Sequence, residues 1–320
     1  MDAASGRLTL GSGLVASLLS SDDANILPAL GLLPLWLIAT VGMAGVWIAF
    51  IVLRMMRAGV PRPSKVMWNW AVSNRGRVAF MLAAVLLAGL NMITFMWFKP
   101  MLNEHVAFWA DPLLAQADWY LFFGRDPWTM LAWLNSEGTA IFYHRAWFGL
   151  MILCLLIVLW QPPTPERNAV LLTYFLLWSV VGPVIHMLLP AGGPVFFERL
   201  GYGDRFAELV TFEAMTKAAD MLWSYYSAGG YGPGAGISAM PSLHIATTVW
   251  MILAVRSAAP MLTAVFVVAG LLIFALSISL GWHYAVDGLV GGIAAWAVLA
   301  LCRVAYASHN SIRAARLAAG

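Results

Sequence analysis

The sequence predicts an all-α, polytopic membrane helical bundle of about seven transmembrane helices. Three observations predict it. First, 62% of the 320 residues are apolar and only 10% are charged, whereas a soluble domain carries roughly 25% charged residues. Second, the apolar residues come in blocks near the roughly 20 residues that one helix needs to cross the hydrocarbon core. Third, lysine and arginine gather in alternate connections, the pattern that orients a multispanning chain. No strand pattern competes, and helices are the open structures that satisfy their own backbone groups in lipid.

Candidate spans fall at 27–53, 78–98, 140–160, 168–189, 241–256, 261–281 and 284–306. The fifth is short and opens on the polar run Pro241-Ser242-Leu243-His244, which places its start at the interface or in a cavity. The loop 54–77 holds Arg54, Arg57, Arg62, Lys65, Arg75 and Arg77 without an acid, so this face is expected to be cytoplasmic. Alternation then puts the loops 99–139 and 190–240 outside. The connections at Arg167 and Arg256 and the tail with Arg303, Arg313 and Arg316 fall inside. The aromatic residues of 101–137, including Trp109, Trp119, Tyr120 and Trp128, suit amphipathic or re-entrant pieces at the interface.

Three parts are expected: a leader over 1–26, disordered or interfacial; a membrane domain over 27–306; and a basic cytoplasmic tail over 307–320. The leader carries Asp2 and Arg7 and lacks the basic-then-apolar order of a secretory signal. The basic inner loops suit a bacterial inner membrane. The net charge of +3 is small and no basic run is dense enough to point to nucleic acid. Cys154 and Cys302 lie in apolar blocks, where cysteine behaves as a small hydrophobe. The bilayer is thus the first expected partner.

Three segments reach the outer face at one depth. His244 begins the fifth span, and His283 follows 39 residues later, after one helix in and one helix back. The fourth span ends near Pro190, which brings Gly192 and Gly193 to the same level. His283 and Asp287 are four apart at the start of a helix, a spacing that puts them on one face. A carboxylate there is expected to accept from one imidazole nitrogen, leaving the other as a nucleophile. An unpaired acid in lipid would cost about 2.5–3.5 kcal/mol, which favours such a pair. His244 supplies a second imidazole, suited to protonating a leaving oxygen while His283 attacks phosphorus. Ser242, the amides near Gly192 and Gly193, and Arg199 are the candidate donors to phosphate oxygens. Ser242 reads equally as a plain N-cap. Arg199 reads more simply as paired with Glu198 or lipid headgroups. His105, His144 and His186 read as structural. Gly288, Gly291 and Gly292 read as close helix packing.

At these residues the chain resembles a known family. Ala239-Met240-Pro241-Ser242-Leu243-His244-Ile245-Ala246 is similar to the second motif of the type 2 phosphatidic acid phosphatase superfamily. Gly281-Trp282-His283-Tyr284-Ala285-Val286-Asp287-Gly288 is similar to its third. Both have the form found in the transferase-like branch, which includes inositol phosphorylceramide synthase and sphingomyelin synthase. Two weaker segments resemble bacterial relatives: Gly193-Pro194-Val195-Phe196-Phe197, and Asp118 followed by Phe123-Gly124-Arg125-Asp126-Pro127-Trp128. The resemblance covers roughly residues 100–300. It implies His283 as nucleophile, Asp287 as its orienting partner, His244 as general acid, phosphate contact near Ser242, and neither metal nor other cofactor.

Two departures stand out. The first motif of the phosphatase branch, Lys-x6-Arg-Pro, is missing; Arg62-Pro63 is a near miss on the inner face. The Ser-Arg pair before the third-motif histidine is replaced by Leu276-Ser277. Arg199, and less so Arg145, are the substitutes expected for the lost cations. The resemblance therefore implies a lipid phosphotransferase at the outer, periplasmic face, with a phosphate-bearing lipid as substrate. A lipid phosphatase acting on phosphatidate or a polyprenyl diphosphate is the alternative. A transporter or structural membrane protein with a proton-relay histidine pair is the reading from another class, and it predicts His244 and His283 more than about 10 Å apart, beyond shared-substrate reach.

Overall fold

The computed structural model describes residues 7–11 and 26–318, with side chains described through residue 308. Within these residues the chain is helical and no strand forms. Its longer helices are α1 (Leu27–Arg57, with a turn at Gly31-Leu32), α2 (Pro63–Ser73), α3 (Arg75–His105), α4 (Asp111–Leu121) and α5 (Glu137–Trp160). There follow α6 (Pro165–Leu188), α7 (Glu213–Ser227), α8 (Leu243–Ala258), α9 (Thr263–Ser279) and α10 (Ala285–Ala318). Helices α1, α3, α5 and α6, the segment Pro260–Ser279 containing α9, and the Ala285–Ser308 part of α10 are long and apolar enough to cross a membrane; α8 is apolar but has only 16 residues. Each of the seven expected spans thus corresponds to a helix, six of them long and apolar enough to cross, and the chain is an integral membrane protein. At about 1.5 Å per residue, α8 falls short of a hydrocarbon core of about 30 Å.

Helix boundaries follow from local chemistry. Ser136 caps α5 in a box with Thr139, Thr164 caps α6 by accepting from Arg167 N–H, and Ser242 caps α8 by accepting from Ile245 N–H. Each satisfies an end amide that nothing in lipid would meet. Helix α3 continues past its expected end at 98 to His105, through Pro100, and α10 continues past 306 to Ala318. Of the expected leader, 1–6 and 12–25 lie outside the described residues. Residues 7–11 form a helical turn whose Thr9 accepts from Asn91 Nδ2, so this part packs on the bundle. The loop after α3 forms α4 and a short helix Pro127–Leu131, and exposes Trp109, Phe123 and Trp133.

Helix α8 is the hub, packed against α5, α6, α9 and α10. Its Trp250 is fully buried and donates to the Val170 carbonyl, while Trp147 of α5 donates to Thr247. Lipid tails are as apolar as side chains, so association rests on close fit rather than on escape from water. Glycine provides that fit. A Cβ at Gly291 would stand 2.5 Å from the Ser242 carbonyl oxygen, and one at Gly288 would stand 2.5 Å from the Phe274 ring. These bare positions seat α10 against the start of α8 and against α9.

The basic connections gather at the end of the bundle opposite His244. There Arg77 donates to the Trp160 carbonyl, Arg167 to the Gln161 carbonyl, and Arg303 pairs with Glu166.

Replacing Gly291 with Val should force the Ser242 backbone away. An overpacked core costs about 1–3 kcal/mol, and thermal melts in detergent should show a clear loss. Gly45→Val, where a Cβ meets nothing within 4 Å, should melt like the parent. Equal melting of both variants would contradict the close α8–α10 contact.

Candidate active site

Topology alone puts His244, His283 and the Gly193 loop at one depth; backbone bonds between segments bring them side by side. Val195 N–H donates to the Gly281 carbonyl, Ala239 N–H to the Ala191 carbonyl, and Ser242 N–H to the Asp287 carbonyl. A Cβ at Gly193, which has φ +96°, would stand 2.6 Å from the Trp282 carbonyl oxygen. Only glycine lets these two loops touch.

Two carboxylates from α4 hold this irregular backbone. Asp111 accepts from Gly192 and Gly193 N–H, both at 2.8 Å, and from the Tyr284 hydroxyl at 2.9 Å. Asp118 accepts from Ala285 and Val286 N–H at 2.6 and 2.9 Å, so it caps α10 from another helix. Both acids are buried. Burial pushes each up to about 6, against the lowering effect of these hydrogen bonds.

His283 is 5% exposed and Asp287 is fully buried. The imidazole Nδ1 lies 2.9 Å from the Ala239 carbonyl and 3.6 Å from Asp287 Oδ2. A carbonyl only accepts, so Nδ1 carries the proton and Nε2 keeps its lone pair. The expected partnership of imidazole and carboxylate is present as an ion-pair contact, with the Ala239 carbonyl as the nearer acceptor. Asp287 is drawn instead to its own helix end, where Oδ2 accepts from Tyr284 N–H at 2.9 Å. Its Oδ1 is buried without a hydrogen-bond partner among the described residues. The carboxylate therefore acts on His283 as a nearby charge, suited to stabilising a cationic ring.

The ring centroids of His244 and His283 are 5.7 Å apart. His244 stacks on Tyr143 at 5.2 Å and lies 4.2 Å from the Trp147 ring. A third imidazole joins them. His144, on the first turns of α5, stands 5.6 Å from His244 and 5.5 Å from Trp282. It is exposed on the surface of the bundle. Sequence reasoning set His144 aside as structural. The missed signal was its depth, one turn or so into a span that starts at the same face.

The expected phosphate donors fare differently. Ser242 Oγ accepts the α8 cap bond from Ile245 N–H, which still leaves its O–H as a donor. The Gly193 amide, expected to meet phosphate, is already taken by Asp111 and is not a free donor. Arg199 pairs with Asp220 at 2.5 Å and lies over Trp223. Among the described residues, neither Glu198 nor a histidine of the cluster pairs with it.

A family model described as PAP2 superfamily matches residues 112–301, which include Asp118, His144, His244, His283 and Asp287. No curated protein and no solved structure matches the chain.

The Asp118 carboxyl titrates near 6 in the fold and near 3.8 when unfolded. The folded state thus holds the proton to higher pH. The stabilisation is complete below about 4 and is lost as pH rises through about 6. Relative to Asp118→Asn, which cannot titrate, the parent should be most favoured at pH 4, with its advantage shrinking towards pH 7. Melting both proteins across that range checks the sign; an advantage growing with pH would refute it.

Proposed function

The chain belongs to the PAP2 superfamily, the type 2 phosphatidic acid phosphatases and their phosphotransferase relatives, and from that premise we propose that it is a lipid phosphotransferase acting through a phosphohistidine on His283. Membership makes it a phosphatase- or phosphotransferase-type lipid enzyme of the membrane. The finer reading rests on one observation: Nδ1 of His283 is held by a carbonyl, with a second imidazole 5.7 Å away.

In this reading Nε2 of His283 attacks the phosphorus of a lipid headgroup. An N–P bond forms, the P–O bond to the leaving alcohol breaks, and His244 gives that oxygen its proton. An acceptor hydroxyl then surrenders its proton to His244 and attacks phosphorus, and the N–P bond breaks. Asp287, 3.6 Å from Nδ1, offsets the positive charge that the ring carries while phosphorylated. The site lies at the end away from the basic connections, which supports a reading in which it opens to the outer, periplasmic face of a bacterial inner membrane.

The transferase reading is favoured over the phosphatase by what flanks His244. Tyr143 and Trp147 close around its ring, and walls of this kind exclude water. Arg62, the near miss to the first phosphatase motif, caps α2 in the basic connection between α1 and α3, beyond the α1 terminus remote from the site. Inositol phosphorylceramide synthase-like exchange is the specific form proposed. Hydrolysis stays the second reading, favoured by the exposure of His144. The wide histidine separation that a transporter reading requires is not what the geometry supports.

Purified protein incubated with headgroup-labelled phospholipids, with and without a lipid alcohol, separates these readings. Transfer yields a new labelled lipid that depends on the alcohol; hydrolysis yields only water-soluble product. His283→Ala should abolish both products, and His244→Ala should slow turnover about 10²–10⁴-fold, the usual worth of general acid–base catalysis. Undiminished turnover by His283→Ala would end the phosphohistidine account.

A further inference from the structure

We infer that Lys99, from a helix outside the residues matched to the family, is the cation that binds the substrate phosphate beside the three histidines. This rests on the phosphotransfer reading of the site. A phosphoryl group needs positive donors around it. Of the two arginines expected to replace the lost cations, Arg199 is paired with Asp220 and Arg145 is exposed on the surface of α5.

Lys99 differs from both. The chain has three lysines, Lys65, Lys99 and Lys217. Lys217 pairs with Glu213, and Lys65 sits on α2 in the basic connection. Lys99 is half-buried near the end of α3, with no hydrogen bond or ion pair among the described residues. Phe95, Lys99 and Asn103 are spaced four apart and so share one face of α3; Phe95 packs on Trp178, which packs on Trp147 beside His244, and Asn103 meets His186, so the face that carries Lys99 is turned towards the imidazole cluster.

The backbone shows how it comes to be there. One turn on, Asn103 donates to the Ile237 carbonyl and accepts from Ile237 N–H. It also meets His186 Nε2 at 3.0 Å. Positions four apart share a helix face. The strap 236–239 lies against that face: a Cβ on Gly236 would stand 2.8 Å from Pro100 N. The same strap ends on Ala239, whose carbonyl holds His283. One face of α3 therefore carries Lys99 and fixes the segment that orients the nucleophile.

A desolvated ammonium without a carboxylate is expensive, and buried charges are ordinarily paired. Among the described residues no ion pair includes Lys99. A dianionic phosphate between Lys99 and the histidines supplies the missing counter-charge.

Orthovanadate, a phosphate mimic, tests this with the full-length protein in detergent. Lys99→Met should bind vanadate at least tenfold more weakly than the parent, and Lys99→Arg should recover most of that loss. In lipid turnover, Lys99→Met should raise KM or lower kcat while leaving the melting temperature near the parent's; Lys99→Gln serves if Lys99→Met does not fold. On the unmodified chain, vanadate should protect Lys99 from amine acylation, with Lys65 and Lys217 as unprotected references. Unchanged vanadate affinity in Lys99→Met, equal losses in Met and Arg variants, or absent protection would each overturn the inference. If the parent enzyme binds vanadate but Lys99→Met binds it equally, Lys99 alone is refuted. If the parent binds none, the phosphate-site reading itself falls.

Discussion

Irregular backbone inside a membrane must find hydrogen-bond partners in the protein, and this requirement governs the whole site. The loops at 190–195, 236–242 and 281–285 all run inside the helical envelope, where water cannot serve. Asp111 and Asp118 answer for two of them, each spanning a pair of amides. Asn103 answers for the third through both groups of Ile237. Three polar side chains thus hold the loops that hold the histidines. Their charge or dipole is not spent on substrate; it is spent on position.

That division explains why the two acids of α4 titrate high and yet are retained. A buried carboxylate costs several kcal/mol unless paired, and here the partners are backbone amides whose own burial would be as costly. The polar cluster is satisfied as a unit. What remains unsatisfied is informative. Asp287 Oδ1 lacks a hydrogen-bond partner, and Lys99 has neither hydrogen bond nor ion pair, among the described residues. The first stands beside His283, and the second is carried by the face of α3 that fixes the strap holding His283.

The glycines complete the framework by a different route. Gly291 lets α10 reach the carbonyl of Ser242, and Gly193 lets the loop after α6 reach Trp282. With little hydrophobic drive between helices in lipid, such approaches decide which surfaces meet. The sequence reading of Gly291 as a packing residue agrees with this geometry. Gly193 is a packing residue as well, although it reads more naturally as a phosphate loop.

The sequence by itself determined the class of fold and the places of its apolar helices, and it predicted at which end of them each chemical group lies. Those features depend on apolar length, on charge placement and on helix periodicity, all local properties. It also picked out His244, His283 and Asp287, because one helix in and one helix back must return a chain to the same face. Lateral neighbours were beyond it. Whether the Gly193 amide faced a phosphate or Asp111, whether Arg199 met Glu198 or Asp220, and whether His144 and Lys99 reached the cluster depended on how α3, α4 and α5 pack around α8. No spacing along the chain encodes that arrangement, because contacts between distant helices are chosen by the fit of whole surfaces and by the competition of buried polar groups for few partners. Tertiary structure decided it.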